Sequence, residues 1–348
     1  MKLFFKLLKT GAQLAVLLLL CSIIMFQLYS IMITMRAAKT KLPKTFGNFD
    51  RVRNLLPAIN NEEEMFSFAI VGDTRGNGTS ERIYENLHDE PLAFMILLGD
   101  IVNKGTPEHH VHLRSEWSGE IKPTYPVFYA VGNHDVDQDN FSVEQFDKTY
   151  GPSIFSFNIN GCLFVVLRIL NPPYSHEESI EYLEKILTNE RDKYRKIFVF
   201  MHVPLPVFVD LPGKKAEHAE KLIELINKFK VDYVIASDYH GYARENIKDT
   251  VYLVTGGGGA HLTRAKFGHF YHAMVIKVKG DTVVEKILQV DKDDDFEDAI
   301  EMAAITDVYP WLQNNKILAV FLNIGILILL VWLIKGIIKG GKSKLLNL

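Results

Sequence analysis

The sequence contains few cysteines and has no excess of basic residues. Cys21 and Cys162 are the two cysteines of the 348-residue chain, and the first of them lies inside an apolar run. They give no basis for a disulfide framework or for a cysteine-rich zinc site. The 39 Lys and Arg residues are offset by 42 Asp and Glu residues, whereas nucleic-acid-binding proteins normally carry a basic excess. We therefore expect no nucleic-acid partner, and we expect any metal ion to be bound by residues other than cysteine.

Long uncharged apolar runs occur near both ends of the chain. The first, residues 14–34, has the length of about 20 residues that spans a bilayer. A cleaved signal peptide would have a shorter apolar region ending in small residues, so we expect this run to be retained as an anchor. The second run, residues 317–334, has Trp311 and Trp332 near its two ends, as is typical of membrane-spanning helices. A buried C-terminal helix is the alternative interpretation of the second run.

Lysine residues flank both runs on the sides facing the chain termini. They are Lys2, Lys6 and Lys9 before the first run, and Lys335, Lys339, Lys342 and Lys344 after the second. Because cytoplasmic flanks are enriched in Lys and Arg, both termini are expected in the cytoplasm. Basic residues from Arg36 onward also follow the first run, so the charge difference across it is small. We expect a membrane protein with two spans and its central domain on the extracytoplasmic side.

These features predict six segments. They are a cytoplasmic tail with a transmembrane helix at 1–35, a polar connector at 36–64, a folded domain at 65–290, an acidic linker at 291–316, a transmembrane helix at 317–334 and a basic cytoplasmic tail at 335–348.

Within the folded domain, apolar runs recur and each ends in a polar cluster. The clusters are GDTRG at 72–76, GDIVN at 99–103, GNHD at 132–135, MHVP at 201–204 and SDYHGY at 237–242. Such runs are typical of strands buried on both faces, and amphipathic stretches at 175–188 and 216–229 predict intervening helices. In an α/β sheet, ligands bind beyond the carboxyl ends of the strands. The five clusters therefore predict a single site.

The residues of these clusters are of the kinds that bind hard and borderline metal ions. They are Asp73, Asp100, Asn133, His134, His202, Asp238 and His240. Carboxylates, an amide oxygen and imidazoles suit Mn, Fe or Zn. Two neighbouring cations would need a bridging carboxylate, and Asp100 is the natural candidate.

With these residues in these clusters, the chain resembles the calcineurin-like metallophosphoesterase superfamily, in particular the subgroup related to purple acid phosphatases. The resemblance runs through the clusters above and the VTGGGGAHL segment at 254–262. It implies an α/β (α+β) fold, which is a four-layer αββα sandwich with two metal ions at its edge. In this chain the sandwich would lie between the two transmembrane helices. It assigns Asp73 and His240 to the first metal, Asp100 to the bridge, Asn133 and His202 to the second metal, and His134 to the leaving oxygen.

Two positions depart from the family pattern, and a third differs from purple acid phosphatases. Arg75 stands where a His is most common, and a guanidinium can bind phosphate oxygens but not a cation. Asp238 replaces a His that would bind the second metal, which makes the site harder and favours Mn or Mg over Zn. Asn103, a further candidate ligand, occupies the position of the metal-binding Tyr of purple acid phosphatases, so their colour is not expected. We expect two divalent or trivalent ions (Mn, Fe, Mg or Zn), with Mn favoured.

Such a site supports hydrolysis of a phosphomonoester or phosphodiester. A cation lowers the pKa of a bound water, so that metal-bound hydroxide attacks phosphorus. His134 would then protonate the leaving oxygen, with either Asp135 or a backbone carbonyl fixing its tautomer, while Arg75 holds the non-bridging oxygens. The substrate would be a phosphorylated small molecule or a lipid-linked phosphate near the membrane. The alternative is a catalytically weak relative that binds a phosphorylated ligand or partner.

Two further motifs have more than one interpretation. The EHHVH sequence at 108–112 suggests a metal site, but adjacent imidazoles on a helix point in different directions, which favours a solvated surface. The four glycines at 256–259 lack the Lys-Ser/Thr of a nucleotide-binding loop. A close approach of the backbone beside the metals, with His261 at the rim, is the favoured use of these glycines.

Overall fold

The computed structural model describes residues 2–58, 65–76, 78–207, 213–263 and 268–345. It divides into two compact units, of which the larger is Thr40–Asp298. The smaller unit combines Met1–Lys39 with Ala299–Leu348.

Two mixed β-sheets form the framework of the larger unit. The strands are β1 Phe66–Val71, β2 Phe94–Leu97, β3 Val127–Tyr129, β4 Phe155–Ile159, β5 Cys162–Val166, β6 Lys196–Phe200, β7 Tyr233–Ala236, β8 Tyr242–Ile247, β9 Thr250–Thr255, β10 Tyr271–Lys279 and β11 Thr282–Val290. One sheet has the order β11-β10-β1-β2-β3. Its strands β1, β2 and β3 are parallel, β10 pairs antiparallel with β1, and β11 pairs antiparallel with β10. The other has the order β4-β5-β6-β7-β9-β8, in which β5, β6, β7 and β9 are parallel. The expected α/β class is confirmed.

Helices connect most of the parallel strands. In the larger unit they are α2 Asp50–Arg53, α3 Gly78–His88, α4 Pro107–Glu116 with a π-helical turn at Trp117–Ile121, α5 Val143–Tyr150, α6 Glu177–Glu190 with a 3₁₀ turn at Arg191–Lys193, and α7 Glu220–Lys228. Helix α8, Phe296–Ala303, lies where the chain passes from one unit to the other. The two helices expected from amphipathic stretches are present as α6 and α7, and α7 begins four residues later than expected.

Alternation of side chains along each strand divides the core of the larger unit. Phe68 on β1 lies in one buried cluster with Phe164 on β5 and Phe198 on β6, so side chains of both sheets share this cluster. The Phe68 ring meets those of Phe164 and Phe198 edge to face, at centroid distances of 5.3 and 5.5 Å. Neighbouring positions point the other way: Ala69 of β1 is buried with α3 residues, and Leu163 of β5 with α6 residues. Each sheet therefore buries both faces, which explains the continuous apolar runs.

The smaller unit consists of helices. They are α1 Lys2–Ala37, a π-helical turn at Ala304–Val308, α9 Tyr309–Asn314 and α10 Lys316–Leu345. Within α1 and α10, the stretches Lys9–Ala37 and Lys316–Ile338, of 29 and 23 residues, are long and apolar enough to cross a membrane. Side-chain hydrogen bonds join these helices: Asn323 Nδ2 donates to Gln27 Oε1 over 2.8 Å, and Ser30 Oγ donates to the Ala304 carbonyl over 2.6 Å.

Candidate metal centre

The polar clusters lie just beyond the carboxyl ends of the parallel strands. Asp73 follows β1, Asp100 follows β2, and Asp238 follows β7. All three adopt left-handed backbone conformations, with φ of 57°, 53° and 58°. A non-glycine residue in this region costs on the order of 1 to 2 kcal/mol, so the surrounding structure must hold it there. The strand ends thus concentrate strain at the carboxylates.

A first group of possible ligands consists of Asp73, Asp100 and His240, whose ligand atoms lie within 4.8 Å of one another. The His240 Nδ1–H donates to the His261 carbonyl over 2.7 Å, so its Nε2 carries the lone pair. That Nε2 lies 3.5 Å from Asp73 Oδ1, and neither atom has a hydrogen-bond partner among the described residues. Ser237 Oγ donates to the other oxygen, Asp73 Oδ2. Two buried acceptors that face each other are costly unless a cation binds both, so these residues fit a metal ion.

A second group consists of Asp100, His202 and Asp238. The His202 Nδ1–H donates to the Leu98 carbonyl over 2.7 Å, which directs Nε2 into the site. Nε2 then lies 3.1 Å from Asn133 Oδ1, 3.3 Å from Asp100 Oδ1 and 3.8 Å from Asp238 Oδ1. A ring nitrogen surrounded by oxygen acceptors also fits a cation, which would take the place of a proton on that nitrogen. Asp100 belongs to both groups.

Burial and neighbouring charges shift the pKa values of these residues. Burial raises the pKa of the Asp73 carboxyl to about 8. Burial acts in the same sense on Asp100, but His202 and other cationic neighbours lower its pKa below the ordinary value. Burial lowers the pKa of His202, yet the surrounding carboxylates raise it to about 9. Burial lowers the pKa of His240 to about 4, so its ring is neutral at physiological pH and free to bind a metal.

His134 stands at the rim of the site with its ring about one third exposed. Its Nδ1–H donates to the Asn103 carbonyl over 2.9 Å, and its backbone N–H donates to Asp100 Oδ1 over 2.8 Å. Nε2 lies 3.8 Å from Asp100 Oδ2 and therefore faces the site. Of the two expected ways of fixing its tautomer, the structure has the backbone carbonyl.

Asp135 has a different place from the one expected beside His134. It is fully buried, and its carboxylate accepts four backbone N–H groups. They are those of Asp100 (2.8 Å) and Gly132 (2.7 Å) on Oδ2, and those of Ile101 (2.9 Å) and Val102 (3.2 Å) on Oδ1. With both oxygens occupied in this way, Asp135 positions the loop after β2. Of the two expected partners of His134, Asp135 is therefore not the one that fixes its tautomer.

Arg75 also adopts a left-handed conformation, with φ of 54°. Its Nη2 lies 3.2 Å from Asp100 Oδ2, and its side chain is 22% exposed. The guanidinium thus lies beside the shared carboxylate and reaches solvent. Asn103, by contrast, has an exposed side chain and contributes its backbone carbonyl to His134. The structure therefore brings the Arg75 side chain to the site. Asn103 contributes its main-chain carbonyl and not its side chain.

Sequence reasoning missed one charged residue of the site. Lys214 Nζ lies 2.7 Å from Asp238 Oδ1, and Asp238 is almost completely buried. The two residues are 24 positions apart, and no local spacing pattern relates them. Because Lys214 stands in a loop after β6, only the folded structure reveals the pair.

The glycine run packs directly against the ligands, as expected. A Cβ atom at Gly256 would lie 2.3 Å from Asp73 Oδ2, and one at Gly258 would lie 2.3 Å from the Gly72 carbonyl oxygen. Neither position can accept a side chain without displacing the site.

The histidines of α4 are buried, so the expectation of a solvated surface at 108–112 is wrong. His110 Nε2–H donates to the Asp135 carbonyl over 2.9 Å, and His110 Nδ1 accepts from the Tyr150 hydroxyl over 2.8 Å. Its ring also stacks on Phe141 with a centroid distance of 3.8 Å. The physical reason is that α4 packs with this face against α5 and the loop after β3, which a local helical pattern does not indicate.

Comparisons with known proteins show similarity in sequence and in fold. Residues 45–242 match the family profile of calcineurin-like phosphoesterases. The serine/threonine-protein phosphatase CPPED1 of Homo sapiens is 25% identical over 225 residues, which cover 57% of this chain and 68% of the relative. The protein of the same name from Danio rerio is 28% identical over 170 residues, covering 42% and 53%. The solved structure of a dimetal phosphatase from Danio rerio aligns with a TM-score of 0.52 and 14% identity, covering 66% of this chain and 97% of that one.

At so low an identity, the structural similarity supports the fold alone. The family profile, however, covers more than half of the chain and includes every residue of the two ligand groups. The chain therefore belongs to the calcineurin-like phosphoesterase family, and it is a metal-dependent phosphoesterase.

Proposed function

We propose that this protein is a membrane-anchored, two-metal phosphoesterase that hydrolyses a phosphomonoester or a phosphodiester. The observation that carries the proposal is the pair of buried ligand groups that share Asp100 at the strand ends. A carboxylate common to both groups is what two neighbouring cations require.

The first cation would be held by Asp73, Asp100 and His240. The second would be held by Asp100, Asn133, His202 and Asp238. Two bound cations neutralise the charge of a phosphate ester and lower the pKa of a water molecule for attack on phosphorus. The oxygen-rich ligand set favours Mn or Mg over Zn, and we propose Mn.

Two residues at the rim would act on the substrate directly. His134 would donate a proton from Nε2 to the leaving oxygen, because its Nδ1–H is already committed to the Asn103 carbonyl. Arg75 would hold the non-bridging phosphate oxygens, since its guanidinium lies beside Asp100 and is partly exposed. Asn103 would bind a metal ion only if its exposed side chain changed position.

The larger architecture extends the proposal. The cluster shared by the two sheets, with helices packed on their other faces, supports a four-layer αββα sandwich at 65–290. The two long apolar helices support anchoring in a membrane, with the segments at 1–35, 36–64, 291–316, 317–334 and 335–348 as expected from the sequence. We propose that the termini are cytoplasmic and the catalytic domain lies on the other side.

A membrane anchor would hold the site near lipid headgroups, so a lipid-linked phosphate is our favoured substrate. The name of the CPPED1 relatives makes a phosphorylated serine or threonine of a protein the second choice. The Lys214–Asp238 ion pair favours one rival, a catalytically weak protein that binds a phosphorylated ligand, because a Lys ammonium occupies a ligand oxygen of the second group.

The test uses full-length protein purified in detergent and loaded with Mn²⁺. Metal content is measured together with hydrolysis of p-nitrophenyl phosphate, its bis ester, a phosphoserine peptide and phosphatidic acid vesicles. We expect bound metal and hydrolysis of at least one ester. Metal-loaded protein that binds phosphate but hydrolyses none of these esters would support the rival.

The variant Asp100→Asn should lose hydrolysis and release metal from both positions, because one neutral amide cannot bridge two cations. Asp137→Asn, in an exposed turn away from the ligand groups, is the matched control. Full metal content and full activity in Asp100→Asn would contradict the two-metal assignment.

A further inference from the structure

The two ligand groups differ in what already occupies their carboxylates. In the first group, Asp73 Oδ1 and His240 Nε2 have no hydrogen-bond partner among the described residues. In the second group, Asp238 Oδ1 accepts the Lys214 ammonium over 2.7 Å. Asp100 belongs to both groups and contacts the Arg75 guanidinium, so that cation does not distinguish them. Among the carboxylates that belong to one group, Asp73 has an oxygen without a hydrogen-bond partner among the described residues, whereas Asp238 is paired with an ammonium.

Lys214 is held at the site by the loop that follows it. The Asn171 side chain donates from Nδ2 to the Lys215 carbonyl and accepts the Glu217 N–H on Oδ1, both over 3.0 Å. The Ala216 N–H donates to the Pro204 carbonyl over 2.8 Å. These bonds fix the backbone next to Lys214, which places its ammonium within reach of Asp238.

The oxygen that accepts Lys214 is also the one that faces the second group. Asp238 Oδ1 lies 3.8 Å from His202 Nε2, which is the nitrogen that would bind the second cation. A divalent ion bound by both atoms would lie close to the ammonium, and like charges at such a distance repel strongly in a buried site. The ammonium must withdraw when the cation binds. Its side chain is 31% exposed, whereas that of Asp238 is 5% exposed, so Lys214 has a path to solvent.

We infer that Lys214 competes with the second metal ion for Asp238 and makes the two metal positions unequal. The first ion is retained, and the second exchanges with the free ion in solution. Hydrolysis then follows the concentration of the free divalent cation. This inference rests on the proposed two-metal function, and it assigns Lys214 as a positioning residue that regulates the site.

The experiment measures metal binding directly. Full-length protein is stripped with a chelator and titrated with Mn²⁺ by calorimetry, and the metal retained through gel filtration is counted by mass spectrometry. We expect the wild-type protein to retain one ion and to bind the second at least tenfold more weakly. Lys214→Met keeps the side-chain stem and removes the charge, so it should tighten the second site at least tenfold and leave the first unchanged. Lys215→Met removes one charge from the next position and should behave as the wild type.

A double-variant cycle identifies the oxygen involved. In an Asp238→Asn background, Lys214→Met should no longer tighten the second site, because the charged competitor and its partner act through the same carboxylate. Lys214→Gln provides a second neutral variant, and thermal melting of each protein shows whether it is folded. Two equal sites in the wild type, unchanged by Lys214→Met, would overturn the inference and leave the two-metal function standing. Failure of wild-type protein to bind any Mn²⁺ would overturn both.

Discussion

Replacement of Asp135 by Asn should destabilise the larger unit and release metal, although Asp135 does not face the ligands. Its two oxygens accept four backbone N–H groups, two on each oxygen. An Asn side chain keeps one oxygen and turns an NH₂ group toward the other two N–H groups. Each hydrogen bond to a buried charged group contributes about 1.5 to 3 kcal/mol, so the loss of two amounts to roughly 3 to 6 kcal/mol. That is a large part of the total stability of a typical domain.

The assay is thermal unfolding of the full-length protein, combined with the metal content of the protein that remains folded. A domain of this size loses about 2 to 4 °C in Tm per kcal/mol, so Asp135→Asn should melt roughly 10 to 20 °C lower. Metal content should fall as well, because the Asp100 backbone is no longer fixed. Asp137→Asn is the control: Asp137 accepts N–H groups of Asp139 and Asn140 in an exposed turn, so this variant should melt close to the wild-type temperature. An Asp135→Asn protein with wild-type Tm and metal content would refute the positioning role.

Three further predictions concern the substrate, pH and sidedness. Arg75→Ala should leave metal content unchanged and lower kcat/KM by roughly a hundredfold or more, the effect of removing one preorganised charged donor; equal hydrolysis by this variant would exclude the phosphate clamp. Burial lowers the pKa of His110 from 6.5 to about 3. At a pH between these two values, His110 is protonated in the unfolded chain and neutral in the folded protein. Stability should therefore fall as the pH is lowered, with His110 accounting for about 2 kcal/mol at pH 5, and His110→Gln should show a smaller difference in Tm between pH 7 and pH 5. Protease added to intact cells or spheroplasts should digest the domain at 65–290, whereas protection until lysis would place that domain in the cytoplasm.

The strand ends were predictable because they depend on local sequence. A buried strand in a parallel arrangement needs apolar residues on both faces, and it must end in polar residues where it leaves the core. Asp73 and Asp100 follow such runs, and the parallel pairing of β1 with β2 brings their strand ends to one edge of one sheet. His202 follows β6 of the other sheet, and its hydrogen bond to the Leu98 carbonyl links the two edges. The glycines at 256–259 were predictable for a related reason, since a backbone that touches a ligand cannot carry side chains.

Contacts between distant segments were not predictable in this way. Nothing local relates Lys214 to Asp238, because their meeting depends on how the loop after β6 passes the end of β7. The burial of His110 depends on the packing of α5, and a helical pattern gives only the direction of a side chain, not what covers it. Asp135 follows His134 directly, yet its carboxylate turns toward backbone N–H groups and away from the His134 ring. Composition and spacing identify a carboxylate at this position, but they do not show in which direction its side chain points.

The environment of His134 separates an enzyme from a protein that only binds phosphate. A protein that only binds phosphate has little need of a proton donor for a leaving oxygen. His134 is placed as such a donor, because its Nδ1–H is committed to a carbonyl and its Nε2 faces the shared carboxylate. A hydrolase needs that arrangement, because the leaving oxygen must receive a proton at the rim, where product departs. Arg75 alone is compatible with both functions, since a guanidinium binds phosphate in either. The fixed orientation of His134 is therefore the feature that favours hydrolysis, while the Lys214–Asp238 pair determines the cation concentration at which hydrolysis occurs.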